Sequence, residues 1–199
     1  PYGVTFARIA IGFLTLSFVP AARRPIARSD WPATAGLGLL WLAFPLTLFP
    51  IAEQEVSSAV TGMLNGATPL FVAVVASVLL RRLPGRPQLV GLGLGLAGIV
   101  LIGLPTLGEG RSSAVGVGLI LLALSSYGVA INLLVPLQQR YGSLAVIWRA
   151  QLVAGVLTLP VGLAQVGDVR LHPGPVVSVV ALGVGGTGIA YALAATLAG

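Results

Sequence analysis

Apolar residues occupy long blocks of this chain, separated by short polar connections. The blocks cover residues 2–21, 33–51, 57–80, 89–104, 114–136, 144–164 and 176–198. An α-helix needs roughly 20 apolar residues to cross a hydrocarbon core about 30 Å thick, because no water there satisfies an exposed backbone group. Each block therefore predicts one membrane-spanning helix, and the block at 89–104, the shortest, has the least defined ends. The connections carry nearly all the charge together with Pro and Gly, which end helices. The pattern predicts an all-α membrane protein, a polytopic helical bundle of about seven transmembrane helices.

Charge adds an orientation. Hydrophobic side chains make up 56% of the 199 residues and charged ones 8%, against about 25% charged in an ordinary soluble domain. The net charge is +6 and all eleven basic residues are arginine. They lie between apolar runs rather than along one face, so they read as topology signals and no nucleic-acid partner is expected. Short cytoplasmic loops retain Lys and Arg. The first, third and fifth connections hold Arg23, Arg24 and Arg28, then Arg81, Arg82 and Arg86, then Arg140, against one acid, Asp30. The second, fourth and sixth hold Glu53 and Glu55, then Glu109 with Arg111, then Asp168 with Arg170. The odd connections are expected in the cytoplasm and the even ones outside, in a multi-pass protein of the cell inner membrane.

Several chemistries drop out. The chain has no cysteine, so a disulfide framework and a thiolate metal site are excluded. His172, beside Pro173, makes no zinc site unaided and has no serine partner, and there is no HExxH. Neither catalytic residues nor a metal or cofactor are expected. An embedded enzyme would need its catalytic groups outside this sequence. The stretch "GLGLGLAG" lies within an apolar span and lacks the strand, turn and Lys of a phosphate loop. The chain opens at Pro1 with no Met or charged leader and stops at Gly199 directly after an apolar run, so it is expected to be the middle of a longer protein. Small residues recur at Gly91 and Gly95, at Gly93 and Ala97, and at Gly183, Gly185, Gly186 and Gly188. That spacing lets helix backbones approach in lipid, and no oligomeric state follows from it.

The stretch "AEQEVSSAVTGMLNGATPLFVAVVASVLLRRLPGRPQLVGLGLGLAGIVLIG", residues 52–103, resembles the EamA domain of the drug/metabolite transporter superfamily. Its marks are Ser57 and Ser58 at a hairpin start, Pro69 in mid-helix before an aromatic-aliphatic run, a basic turn at Arg81 to Arg86 and the glycine-rich helix after it. "PYGVTFARIAIGFL" looks like the family's second helix and "TGIAYALAATLAG" like its eighth. The resemblance implies ten helices in two inverted five-helix halves, both termini in the cytoplasm and a solute cavity between the halves. It also implies transport of amino acids, metabolites or toxic organic compounds, as an exporter working by alternating access. Many members carry a Glu-Arg pair after the fourth helix. Here the pair is Arg81 and Arg82, which leaves the subfamily open.

An internal repeat of about 141 to 144 residues accompanies the resemblance. Arg8 lies early in the first run and Arg149 early in the sixth, and "FLTL" at Phe13 to Leu16 is echoed by "VLTL" at Val156 to Leu159. The loop charges have the first run entering from outside and the sixth from inside, as inverted repeats require. The expected division is residues 1–105 for the end of a first repeat and 114–199 for the start of a second.

Polar groups inside apolar runs are the candidates for solute binding. An arginine at a helix centre costs about 2.5 to 3.5 kcal/mol on insertion scales. Arg8 and Arg149 either snorkel to the headgroups or attract an anion or gate the central cavity. Asn65 stands beside Gly66 and four residues before Pro69, which frees a carbonyl one turn earlier. That carbonyl and the amide either face a solute or join helices by a hydrogen bond. Tyr127, Asn132, Trp148, Gln151 and Thr187 read as packing or interface-anchoring groups. Trp41 and Tyr191 are favoured as cavity-lining aromatics because their helices correspond under the repeat. The site is expected near mid-membrane, with Asn65 and Tyr191 facing each other, Trp41 nearby, and Arg8 and Arg149 toward opposite mouths. The partners implied are a small-molecule solute and membrane lipid.

Overall fold

The computed structural model describes residues 2–81, 84–103, 113–164 and 173–190. Among them there is no β-strand, and each of the seven apolar runs is helical. Helix α1 (Tyr2–Ser17) ends short of the run's expected end, because Val19 takes the extended conformation favoured before a proline. A single 3₁₀ turn, Pro20–Arg23, follows. The second run comprises α2 (Trp31–Leu37), a π-helical segment Gly38–Ala43 and α3 (Phe44–Ala52). Pro45 lacks the N–H that the Trp41 carbonyl would accept and its ring crowds that carbonyl. The wider π turn falls immediately before it.

The third run breaks into α4 (Ser58–Asn65) and α5 (Thr68–Leu80), with Ser57 capping α4 by accepting from the Val60 N–H at 3.3 Å. Helix α6 (Arg86–Gly103) forms the fourth run. Helix α7 (Ala114–Tyr141) continues past Pro136, where the run was expected to end, to Gly142. Gly142 adopts φ +79° and its N–H donates to the Gln138 carbonyl at 2.9 Å, a left-handed glycine closure. Arg140, expected in a connection, is thus in the last turn of a helix. Helix α8 (Ser143–Ala164) starts at once, and α9 (Pro173–Ala181) runs into a second π-helical segment, Leu182–Ile189.

Four of these stretches, Arg28–Ala52, Ser58–Leu79, Ala114–Tyr141 and Ser143–Ala164, are long and apolar enough to cross a membrane. Val78, Leu94 and Leu101 are 72%, 70% and 69% exposed, and apolar surface of this kind belongs in lipid rather than water. Hydroxyls follow the same logic. Those of Thr15, Ser17, Thr34, Ser77, Ser125 and Thr158 each donate to the carbonyl four residues earlier, where no water serves them. The protein is therefore a polytopic helical membrane protein.

The chain divides into two compact units, Pro1–Ala43 with Leu133–Gly199, and Phe44–Asn132. The second is built on Ala52, Val56, Val60, Ala67, Ile120 and Leu124. There α7 closes on α5 through Gly128, where a Cβ would lie 2.9 Å from the Phe71 carbonyl oxygen. One turn on, the Asn132 amide donates to the Val72 carbonyl at 3.2 Å, so Asn132 joins helices. The second and fourth connections also meet, since the Ser113 N–H donates to the Glu55 carbonyl at 3.2 Å. Helix α6 makes no close approach through its glycines: a Cβ on Gly91, Gly93, Gly95 or Gly98 would meet no atom of the described residues within 4 Å.

Candidate functional site

The first unit is organised on α1 and α8. Gly162 receives Phe6, a Cβ there lying 2.6 Å from the Phe6 Cβ, and Gly155 lies against Ile9. Phe13 stacks on Trp148 at 5.2 Å between ring centroids, and the Trp148 indole N–H donates to the Ser17 hydroxyl at 2.8 Å. Contacts at Phe6, Ile9, Phe13 and Ser17 thus meet residues 162, 155, 148 and 148, so the two helices are antiparallel. Ile9 on α1 and Ile147, Ala150 and Ala154 on α8 are buried. Because the order reverses, Arg8 and Arg149 stand toward opposite ends of it.

Each π-helical segment closes on one of these two helices through a glycine. A Cβ on Gly38 would lie 2.6 Å from the Ala150 carbonyl oxygen and 3.0 Å from the Val153 Cβ on α8. A Cβ on Gly183 would lie 2.6 Å from the Ile11 Cγ2 and 3.4 Å from the Arg8 carbonyl oxygen on α1. Only residues without a side chain fit at these approaches. The two π-helical segments therefore make the same kind of approach, one beside Arg149 and the other beside Arg8.

Arg149 is 7% exposed. Its Nη1 donates to the Ala145 carbonyl at 3.0 Å and to the Ala22 carbonyl at 3.4 Å, and its guanidinium lies 5.3 Å from the Trp148 ring centroid. Among the described residues the ion pair is Arg140 with Asp30, at 3.4 Å, so carbonyl dipoles and an aromatic face stabilise Arg149 where a carboxylate would otherwise be needed. Trp41 packs with Trp148 on the cluster of Leu16, Ala22 and Ile147. Trp41 and Arg149 therefore converge around Ala22. Arg8 is half-buried on α1, its Nη2 being the atom nearest a Cβ built on Gly186, at 4.0 Å.

Asn65 lies in the other unit, exposed at the end of α4. The carbonyl that Pro69 frees is its own, and the Thr68 hydroxyl donates to it at 2.6 Å and approaches its Oδ1 at 3.3 Å. A cavity of about 160 Å³ next to it is lined by Gly66, Pro69, Leu70, Gly91 and Gly95 among others. Tyr191 lies outside the described residues. The structure thus gathers Trp41 and Arg149, puts Arg8 on the facing helix, and holds Asn65 in the second unit.

Three residues have roles that were not read from the sequence. Gly38 is one, since a close approach depends on a partner remote in the chain. Asp30 is another: it accepts from the Tyr141 hydroxyl at 2.6 Å and from Arg140, so the first and fifth connections meet. The third is Gln151, read as a packing or anchoring group but wholly buried on α8 with neither amide atom hydrogen-bonded. Its polarity within an apolar run was the available signal.

The family model for EamA-like transporters matches residues 1–104, just over half of the sequence. No curated protein and no solved structure matches it. The chain belongs to the EamA-like transporter family, and as a polytopic helical membrane protein it is a membrane transporter of small solutes.

Proposed function

We propose that the protein exports small organic solutes, amino acids, metabolites or toxic compounds, across the inner membrane by alternating access between two inverted repeats. The observation that carries this reading is the pair of glycine approaches. Gly38 and Gly183 are 145 residues apart, their contacts Val153 and Ile11 are 142 apart, and the two π-helical segments begin 144 apart. Arg8 and Arg149 are 141 apart. A near-constant offset linking helices that pack antiparallel is the geometry of an inverted repeat, with residues 1–105 ending one copy and 114–199 starting the other. In this pair the helical stretch holding Gly38 packs on α8 of the other copy, and the stretch holding Gly183 packs on α1. Breaking one contact while keeping its counterpart opens one face only.

Arg8 and Arg149 then serve opposite mouths, and the solute lies between them near Trp41. The meeting of Asp30 with Tyr141, and of Glu55 with Ser113, supports odd connections on one face and even connections on the other. The arginines of the odd set assign that face to the cytoplasm.

The test uses single cysteines in the full-length protein and an impermeant thiol reagent on intact cells. Cysteines at Ala27 and Gln139 are expected to be protected, and those at Gln54 and Ala164 to be labelled. Labelling of Gln139 together with Gln54 would put α1 and α8 in the same orientation and remove the inverted repeat.

A further inference from the structure

A groove of about 260 Å³ runs along the contact of α1 and α8, lined by Phe6, Phe13 and Leu14 on one side and by Gln151, Val156 and Leu159 on the other. It is smaller than the roughly 300 Å³ at which drug-sized pockets begin, so it suits a compact occupant. None of its lining residues is ionisable. Arg149, two positions before Gln151, donates toward Ala145 and Ala22 instead.

Gln151 is 0% exposed, and both its Oε1 and its Nε2 lack a partner. A buried amide left unpaired is strongly disfavoured, and it lies eight residues into α8, about 12 Å along the helix, where bilayer water does not reach. Packing does not require it. The residue 141 positions earlier, Ala10, lines the same groove with a methyl group.

We propose that this groove is a subsite for a neutral solute with an aromatic or branched apolar body and a carboxamide-like head. The rings of Phe6 and Phe13 take the body. A turn of the Gln151 side chain brings its amide to the groove, where a head with one donor and one acceptor answers both orphaned atoms at once. An acyl chain would fill the space and leave both unpaired, and a carboxylate would find no cation. The proposal rests on the transporter reading and specifies its substrate class.

The probe is radiolabelled benzamide, with benzoate and toluene as competitors, measured on the full-length protein in liposomes. Wild type is expected to bind benzamide saturably, toluene and benzoate to compete at least tenfold less well, and Gln151→Leu to bind at least tenfold more weakly while Gln151→Asn retains part of the affinity. The leucine variant removes the orphaned amide at similar volume, so it is expected to fold. Absence of saturable binding, equal binding by Gln151→Leu, or toluene competing as well as unlabelled benzamide would overturn the subsite. Flux of a panel of amino acids and metabolites in the same liposomes separates the two readings. Flux without Gln151-dependent binding removes the subsite alone, and Gln151-dependent binding without flux of benzamide or of any panel member removes the transport reading.

Discussion

Replacing Gly38 by alanine adds one methyl group at the closest helix approach in the first unit. The new Cβ would sit 2.6 Å from the Ala150 carbonyl oxygen, and an ordinary contact needs about 3.5 Å, so the π-helical segment and α8 must part by about 1 Å. The obstacle is backbone, with no rotamer to yield, and Val153 blocks the sideways escape at 3.0 Å. Overpacking of this kind costs about 1 to 3 kcal/mol. Gly36, two residues before Gly38, supplies the control, because a Cβ there meets nothing within 4 Å. Alanine at Gly36 should be neutral or stabilise the helix by up to about 1 kcal/mol through backbone entropy. The assay is reversible unfolding of the purified full-length protein in mixed micelles, comparing both variants with wild type. The two substitutions are predicted to have opposite signs. If Gly38→Ala were as stable as Gly36→Ala, the close contact, and with it the pairing of Gly38 and Gly183, would be refuted.

Asn132→Leu should cost about 0.6 kcal/mol in the same assay, the mean of interhelical hydrogen bonds in membranes, and leave solute flux unchanged. A loss of flux at full stability would show that Asn132 does more than join α7 to α5. Trp148→Phe keeps the stack on Phe13 but loses the bond to Ser17 and most of the attraction to Arg149. It is expected to cost about 1 to 2 kcal/mol, and an unfolding curve superimposing on wild type would contradict that geometry. Glu53→Gln and Glu55→Gln should leave any proton-driven flux intact, since both acids lie in the second connection while proton relays sit within the membrane. Loss of flux at normal expression would assign the relay to this connection.

The helical runs were legible because a bilayer accepts few solutions: among the described residues each of the seven apolar runs is helical, and four helices are long and apolar enough to cross a membrane. The ends were less so. Pro20 stops α1 through the conformation of Val19, whereas Pro136 stops nothing and Gly142 ends α7. In both cases the deciding factor is which backbone groups find partners. At the site, Arg149 stood out as a charge in an apolar run, but its partners Ala22 and Ala145 are plain carbonyls that no residue type announces. Trp41, favoured through the repeat as a cavity-lining aromatic, packs beside Ala22 with Trp148. The carbonyl that Pro69 frees was legible at Asn65, yet Thr68, three residues on, already occupies it. Gly183 was legible as one of a small-residue cluster, but Gly38 was out of reach, since a lone glycine needed for a close approach looks like any other until its neighbour is known.

The most direct test of transport is to load liposomes holding the full-length protein with labelled amino acids, metabolites and neutral aromatic amides, and to identify chemically what emerges. The account predicts that at least one of these appears outside unchanged, at a rate that saturates with its concentration and exceeds leakage from protein-free liposomes. Leakage-level flux for every class, with a solute recovered chemically altered on the side where it began, would contradict it.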